Sequence, residues 1–339
     1  MKNLFLAASV GAAFALASGP VFAATTLETV KARGELVCGS NPGLAGFGLP
    51  NDKGEWSGLD VEYCRAIAAA VLGDPAKVKF VPLSAKDRFS ALQSGEVDVL
   101  IRNSTWTMSR DTSLGLDFVS VNYYDGQGFM IRKDMKVASA MELSGASVCT
   151  QQGTTTELNL ADFFRTHNMT YQVVSFATAD ETIKAYDAGR CDVFTTDASG
   201  LYAERLKLTA PDDHVVLPEI ISKEPLGAVV RHGDSQWADV VRWVHYAMIT
   251  AEELGVTQAN IDEQLKSEKP EVKRLLGTEG EFGKALGVEN DWAVKIIKAV
   301  GNYGESFERN VGQGSQLKIA RGQNALWSNG GLQYAPPIR

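Results

Sequence analysis

Ser94-Gly95-Glu96-Val97-Asp98-Val99 returns later in the chain as Ala188-Gly189-Arg190-Cys191-Asp192-Val193. In each copy a glycine closes a helical stretch, Arg88–Ser94 in the first and Glu181–Ala188 in the second. Glycine just past a helix end supplies the left-handed turn that stops it. Each copy then enters an apolar strand that runs into a polar loop, Asn103-Ser104-Thr105 or Thr195-Thr196-Asp197. A second echo precedes the first: Gly34-Glu35-Leu36-Val37-Cys38 answers Gly145-Ala146-Ser147-Val148-Cys149. One short match would mean little, because turn-plus-strand signals are common. Two matches in the same order predict two α/β lobes of similar design.

The surrounding pattern agrees. Glu35–Cys38, Val78–Val81 and Val97–Ile101 read as strands. Leu59, Tyr63, Ile67 and Ala70 repeat at helical spacing, with Asp60 and Glu62 suiting the first turn of a helix over Leu59–Leu72. Strands alternating with helices predict a mostly parallel sheet in each lobe. Such sheets bind ligands beyond the carboxyl ends of their strands. Two facing lobes would therefore bring loops 39–48, 102–111, 151–156 and 195–199 around one cleft. Tyr123–Gln127 and Ile221–Pro225 are the hinge candidates. Their flanks, Gly128–Ile131 and Leu226–Val230, read as paired apolar strands. The stretch from 261 to 339 fits neither lobe. It holds a helical piece, Trp292–Val300, and is expected to pack on the first lobe.

Composition bounds the function. The 339 residues suggest about two domains at the usual domain size. Hydrophobic residues at 45% and charged residues at 22% are those of a soluble globular chain. A net charge of −8, without a basic cluster, argues against a nucleic-acid partner. Lys2, the apolar run Leu4–Ala17, the break at Gly19-Pro20 and Val21-Phe22-Ala23 make a secretory leader, with cleavage expected after Ala23. The alternative is an uncleaved anchor, which the shortness of the run disfavours. An exported, oxidising compartment makes disulfides available to the four cysteines.

Catalytic signatures are sparse. The four histidines sit apart, and no phosphate-binding, dinucleotide or Gly-x-Ser-x-Gly motif occurs. No cofactor and no metal is implied. A four-cysteine zinc site and four buried thiols are the alternatives to pairing. Four cysteines allow three connectivities. If the cleft must open, Cys38–Cys64 and Cys149–Cys191 are favoured, because a bond across lobes would lock it. The loops carry the chemistry. Arg110 can hold a carboxylate bidentately, with the Thr105 hydroxyl beside it. Gln152-Gly153-Thr154-Thr155 leads into a helix and offers hydroxyls and free N–H groups. Asp197 can accept from an ammonium. Each also has a plain structural reading: Arg110 as a surface arginine, Asp197 and Thr154 as helix caps.

At these residues the sequence resembles the periplasmic amino-acid-binding proteins of ABC importers. The matching motifs are Gly58–Glu62, Ala91–Asp98, Thr105–Arg110, Gln152–Thr155 and Cys191–Asp197, in order over about residues 34–240. The likeness to the general L-amino-acid-binding subfamily extends through Asn302–Glu305, Phe307–Gly312 and Ala335-Pro336-Pro337. The resemblance implies a two-lobe periplasmic-binding-protein type II fold: leader 1–23, first lobe 24–124 with a return segment 225–260, second lobe 125–224, and extension 261–339. It implies that Arg110, with Asn103, Thr105, Thr154 and Thr155, grips the ligand carboxylate, and that Asp197 receives the ammonium. Asn41, Leu44, Phe47, Trp106 and Gln151 stand in the regions of the side-chain pocket. Many relatives have an acid where this chain has Asn41, and an aromatic platform over the side chain in the regions where it has Leu44, Phe47 and the Ser84-Ala85 turn, so the pocket departs from the pattern. The implied partners are a free L-amino acid and membrane permease subunits, with a periplasmic monomer as the binding form. Two rivals remain. One is an exported lyase of the cyclohexadienyl dehydratase type, with Glu157 as its candidate acid. The other is the ligand domain of a sensor.

Overall fold

A computed structural model describes residues 24–339. The leader expected over 1–23 lies outside them. Two five-stranded sheets organise the chain. In the first, Val78–Pro82, Leu36–Ser40 and Val99–Leu100 are parallel, followed by Glu224–Arg231 and Leu116–Asp125, which run antiparallel to their neighbours. In the second, Gln172–Phe176, Ser147–Gln151 and Val193–Asp197 are parallel. Gln127–Arg132 and His214–Val216 complete it in antiparallel sense. Both sheets are thus mixed, three parallel strands plus two.

The echoed motif plays one part in both lobes. Gly95 and Gly189 take left-handed φ values of 79° and 73° and end their helices. Asp98 accepts a hydrogen bond from the Val37 amide at 2.8 Å, and Asp192 accepts from the Ser147 amide at 2.9 Å. In return the Asp98 and Asp192 amides donate to the Val37 and Ser147 carbonyls. The carboxylate therefore staples the third parallel strand to the first, twice.

Gln127–Arg132 and Glu224–Arg231 do not pair with each other, contrary to expectation. The chain crosses between lobes at Asp125-Gly126-Gln127 and again at Ser222–Glu224, and the two strands leave those crossings in opposite sheets. Glycine is required at the first crossing. A Cβ on Gly126 would lie 2.2 Å from Ile220 Cγ2 and 2.8 Å from the Ser222 carbonyl.

The two disulfides are Cys38–Cys64, strand to helix in the first lobe, and Cys149–Cys191, from strand Ser147–Gln151 to the turn that leads into Val193–Asp197 in the second. The first lobe shares its core with the C-terminal stretch. In helix Trp292–Val300, residues Trp292, Ala293, Ile296, Ile297 and Val300 form one buried stripe against helices Leu59–Leu72 and Ser235–Glu253. Tyr303 and Phe307 follow into the same core. The second lobe closes over Phe129, Ile131, Val148 and Phe164. No helix of the described residues is long and apolar enough to cross a membrane.

Candidate functional site

The carboxyl ends of the parallel strands face one another across the hinge and enclose a cavity of about 50 Å³. At roughly 10–15 Å³ per water-sized site, this is the space of a small molecule. Asn41, Leu44, Arg88, Arg102, Asn103 and Thr105 line it from the first lobe. Gln151, Thr154, Thr155, Thr156, Asp197 and Glu204 face them from the second. The lobes are closed on each other. Thr105 Oγ1 and Thr155 Oγ1 lie 3.5 Å apart across the cleft, and Lys207 donates to the Gly43 carbonyl at 2.6 Å.

On the first lobe, the Asn103 backbone is held in a left-handed conformation, φ 32°. Its amide donates to Asp60 Oδ2 at 2.7 Å, while Asn122 Nδ2 donates to Asp60 Oδ1 at 2.8 Å. Asp60 is buried beneath the cavity, and that burial pushes its carboxyl up to about 6 against the pull of these donors. The Asn103 side chain accepts from Asn41 Nδ2 at 2.9 Å, so the two asparagines form one polar floor.

Three guanidiniums cluster nearby. Arg110 Nη1 donates to the Thr105 carbonyl at 2.9 Å. The Phe89 ring lies 4.9 Å from the Arg88 guanidinium carbon and 5.1 Å from that of Arg110. Arg88 and Arg102 are 3% and 5% exposed. Burial pushes Arg88 well below the usual arginine range, helped by the charges of Arg102 and Arg110, and brings Arg102 to about 10.

On the second lobe, Asp197 ends its strand at the cavity wall and is buried. Burial, then the neighbouring carboxylates of Asp125 and Glu224, hold it well above the usual carboxylate range, against the pull of Arg88 and Arg110. Glu224 accepts from Thr155 Oγ1 at 2.9 Å, Asn159 Nδ2 at 2.6 Å and Ser222 Oγ at 2.7 Å. It thereby fixes the threonine hydroxyl at the hinge. Thr154 Oγ1 turns back to the Gln151 carbonyl at 2.7 Å.

Asn41, Leu44, Asn103, Thr105, Gln151, Thr154, Thr155 and Asp197 are therefore brought together. Arg110 stands just behind Thr105. Two residues named for the side-chain pocket lie elsewhere. Phe47 is fully buried, edge-on to Tyr123 at 5.1 Å, because the loop folds its apolar ring into the first-lobe core. Trp106 is 38% exposed and stacked on Phe118 at 5.6 Å, on the outer side of the strand end. Arg88, Arg102, Asp60, Glu204 and Glu224 were missed by sequence reasoning. Arg88 and Arg102 follow the strands Val78–Pro82 and Val99–Leu100, so the strand-end rule, applied to every charged residue, would have found them.

A polar, enclosed cavity between two hinged lobes defines a solute-binding class, and the chain belongs to the bacterial extracellular solute-binding proteins, family 3, whose family model matches residues 36–260. Over its full length the chain is 60% identical to the general L-amino acid-binding periplasmic protein AapJ of Rhizobium johnstonii, with 100% of both chains covered. It is 58% identical to the glutamate/glutamine/aspartate/asparagine-binding protein BztA of Rhodobacter capsulatus, again over 100% of both. Among solved structures, a periplasmic binding protein from Brucella ovis with glutathione bound superimposes with a TM-score of 0.92 at 64% identity. That match covers 94% of this chain and 100% of that one. These relatives bear binding-protein names, and among the described residues no histidine lines the cavity. Glu157, the acid a lyase would need, instead accepts from Ser175 Oγ at 2.8 Å and from the Gly153 amide at 3.1 Å.

Proposed function

We propose that the chain captures free L-amino acids of several side-chain types in the periplasm by closure of its lobes, and delivers them to the permease of an ABC importer. The observation that carries this reading is the placement of Asp197, buried at the cavity wall of one lobe, opposite guanidinium and hydroxyl groups on the other. The printed names of the full-length relatives support it.

In this reading Asp197 takes the ligand ammonium, which offsets the burial that otherwise favours its neutral form. Thr105, Thr155 and the Asn103 and Thr154 segments surround the carboxylate. Arg110 supplies its charge, with donors beyond the one given to Thr105. Asn41, Leu44 and Gln151 border the side chain. Residues 24–124 and 225–260 form one lobe and 125–224 the other, with 261–339 as an extension of the first. A ligand favours the closed form only through its differential affinity for the two states, and a bridging amino acid has that by touching both lobes.

Titration calorimetry with an amino-acid panel and glutathione tests the reading. Arg110→Lys should weaken amino acids by about 30-fold or more, because a point charge cannot replace the guanidinium fork. Asp197→Asn should do the same. Unchanged affinity in both variants would remove the assigned site.

A further inference from the structure

The threonines around the ligand head group are not equally free to donate. A hydroxyl carries one proton and two lone pairs. Thr155 Oγ1 gives its proton to Glu224 Oε2 at 2.9 Å, and Thr154 Oγ1 gives its own to the Gln151 carbonyl at 2.7 Å. Thr105 Oγ1 has no partner among the described residues nearer than Thr155 Oγ1, at 3.5 Å. Thr105 can therefore donate into the cavity. Thr155, which lines the same cavity, has only lone pairs left to offer. A ligand carboxylate has acceptors alone and finds no donor there, whereas an ammonium has donors alone.

The group that holds Thr155 in this state is a buried acid with no other task. Glu224 is 2% exposed and opens the return strand Glu224–Arg231 at the second crossing. It has no cation within ion-pair distance among the described residues. Its Oε1 accepts from Asn159 Nδ2 at 2.6 Å and from Ser222 Oγ at 2.7 Å, which leaves Oε2 for Thr155. A ligand carboxylate that took the Thr155 proton would leave that buried oxygen unpaired, a costly exchange. Other donors serve the ligand carboxylate. Helix Thr155–Thr166 has no side-chain cap, so its first amides are open, beside Thr105 and Arg110. Asp197, the partner assigned to the ammonium, is near enough to feel the Glu224 charge.

We propose that Glu224 is a positioning residue for amino-acid capture: by holding the Thr155 proton, it turns the Thr155 hydroxyl oxygen into an acceptor for the ligand ammonium, beside Asp197. This rests on the amino-acid reading above and adds a second acceptor to its ammonium site. The Thr155 backbone stays with the carboxylate, and its side chain serves the ammonium.

Glu224→Gln keeps the shape and reverses the polarity. Its carbonyl oxygen takes the place of Oε1 toward Asn159 and Ser222, and its amide nitrogen then donates to Thr155. The Thr155 proton is released toward the cavity, where it meets the protons of the ammonium. Titration calorimetry of the full chain with L-alanine, L-glutamine and L-glutamate should show about tenfold weaker binding of each in this variant, the weight of one hydrogen bond to a charged group. In a Thr155→Val background the same change should cost less than about twofold. In a Thr155→Ser background, which keeps the hydroxyl, the tenfold loss should return. A purely structural role for Glu224 would lower affinity equally in all three backgrounds. That result, or no loss in wild type, would overturn the proposal. Crystals of the wild-type complex with L-alanine provide a second measurement that needs no variant to fold. Thr155 Oγ1 should lie within about 3.2 Å of the ligand nitrogen with its bond to Glu224 intact. Thr155 Oγ1 bonded to the ligand carboxylate, or to no ligand atom, would overturn the assignment while leaving the amino-acid reading in place. Failure of wild type to bind any of the three amino acids would instead remove that reading, and this proposal with it.

Discussion

Asp60 shows how a residue that never touches the cavity sets its geometry. It holds the Asn103 amide, and Asn103 in its left-handed conformation carries the polar floor shared with Asn41. Its carboxyl titrates near 6 in the folded chain, against a usual value of 3.8. A raised acid stabilises the fold fully below its unfolded value, and that contribution is lost as pH rises through the folded one. Wild type should therefore lose stability relative to Asp60→Asn by about 2 kcal/mol between pH 4 and pH 7. Urea denaturation of both proteins across that range measures it. Parallel stability curves would show that folding leaves the Asp60 carboxyl unshifted. Asp197 responds in the opposite sense for binding. Its neutral form offers an ammonium an acceptor but no charge, so amino-acid affinity should weaken as the pH falls and Asp197 takes up its proton. Calorimetry in buffers of different ionisation enthalpy should show proton release on binding where Asp197 is partly protonated.

Among the elements, the paired lobes were legible because their signals are local. Glycines at helix ends, apolar runs and the Asp98 and Asp192 echoes each act within a few residues. Helices Leu59–Leu72 and Trp292–Val300 stand where the spacing of their apolar residues put them. Threonine, asparagine and aspartate in strand-end loops marked most of the cavity wall. The rest depended on contacts distant in sequence. Phe47 looks like a pocket residue until Tyr123 arrives from another strand, and Trp106 until Phe118 stacks on it. Arg88 reads as an ordinary helix residue because nothing in its local sequence marks its burial. The disulfides also join elements at a distance, each within one lobe. Loops of 26 and 42 residues correspond to about 3.5 and about 4 kcal/mol of chain entropy removed from the unfolded state. Replacing Cys38 and Cys64 together by serine should lower unfolding free energy by about that first amount, read from denaturant midpoints at unchanged slope. An effect near zero would show that the reduced fold relaxes without loss. The C-terminal stretch makes a further long-range tie. Asn324 donates to the Tyr124 carbonyl at 3.0 Å and accepts from its amide at 2.7 Å, just before the hinge. Asn324→Ala should expose the Tyr124 amide to faster hydrogen exchange, and unaltered exchange there would show the strand is held without it.

Across the whole molecule, the extension grips the outgoing strand on the first-lobe side only. Tyr303 donates to the Asn122 carbonyl at 2.9 Å, and Gln333 to the Val121 carbonyl at 3.3 Å. Opening of the lobes would therefore bend the chain beyond Tyr124, at Asp125-Gly126-Gln127 and its partner crossing. The contact made by Lys207 lies at the opposite mouth of the cleft. Its ammonium reaches the Gly43 carbonyl of the first lobe while held by Glu204 and Asp180 of the second. That bond forms only after the lobes meet, so it adds nothing to encounter. Its effect falls on residence time. Lys207→Ala should leave the association rate of a bound amino acid nearly unchanged and hasten its release by about fivefold, the weight of one charge-assisted hydrogen bond partly open to water. Stopped-flow traces showing the whole effect in association would contradict this. In the delivery proposed above, Lys207 would act as a clock, setting how long a loaded carrier stays loaded.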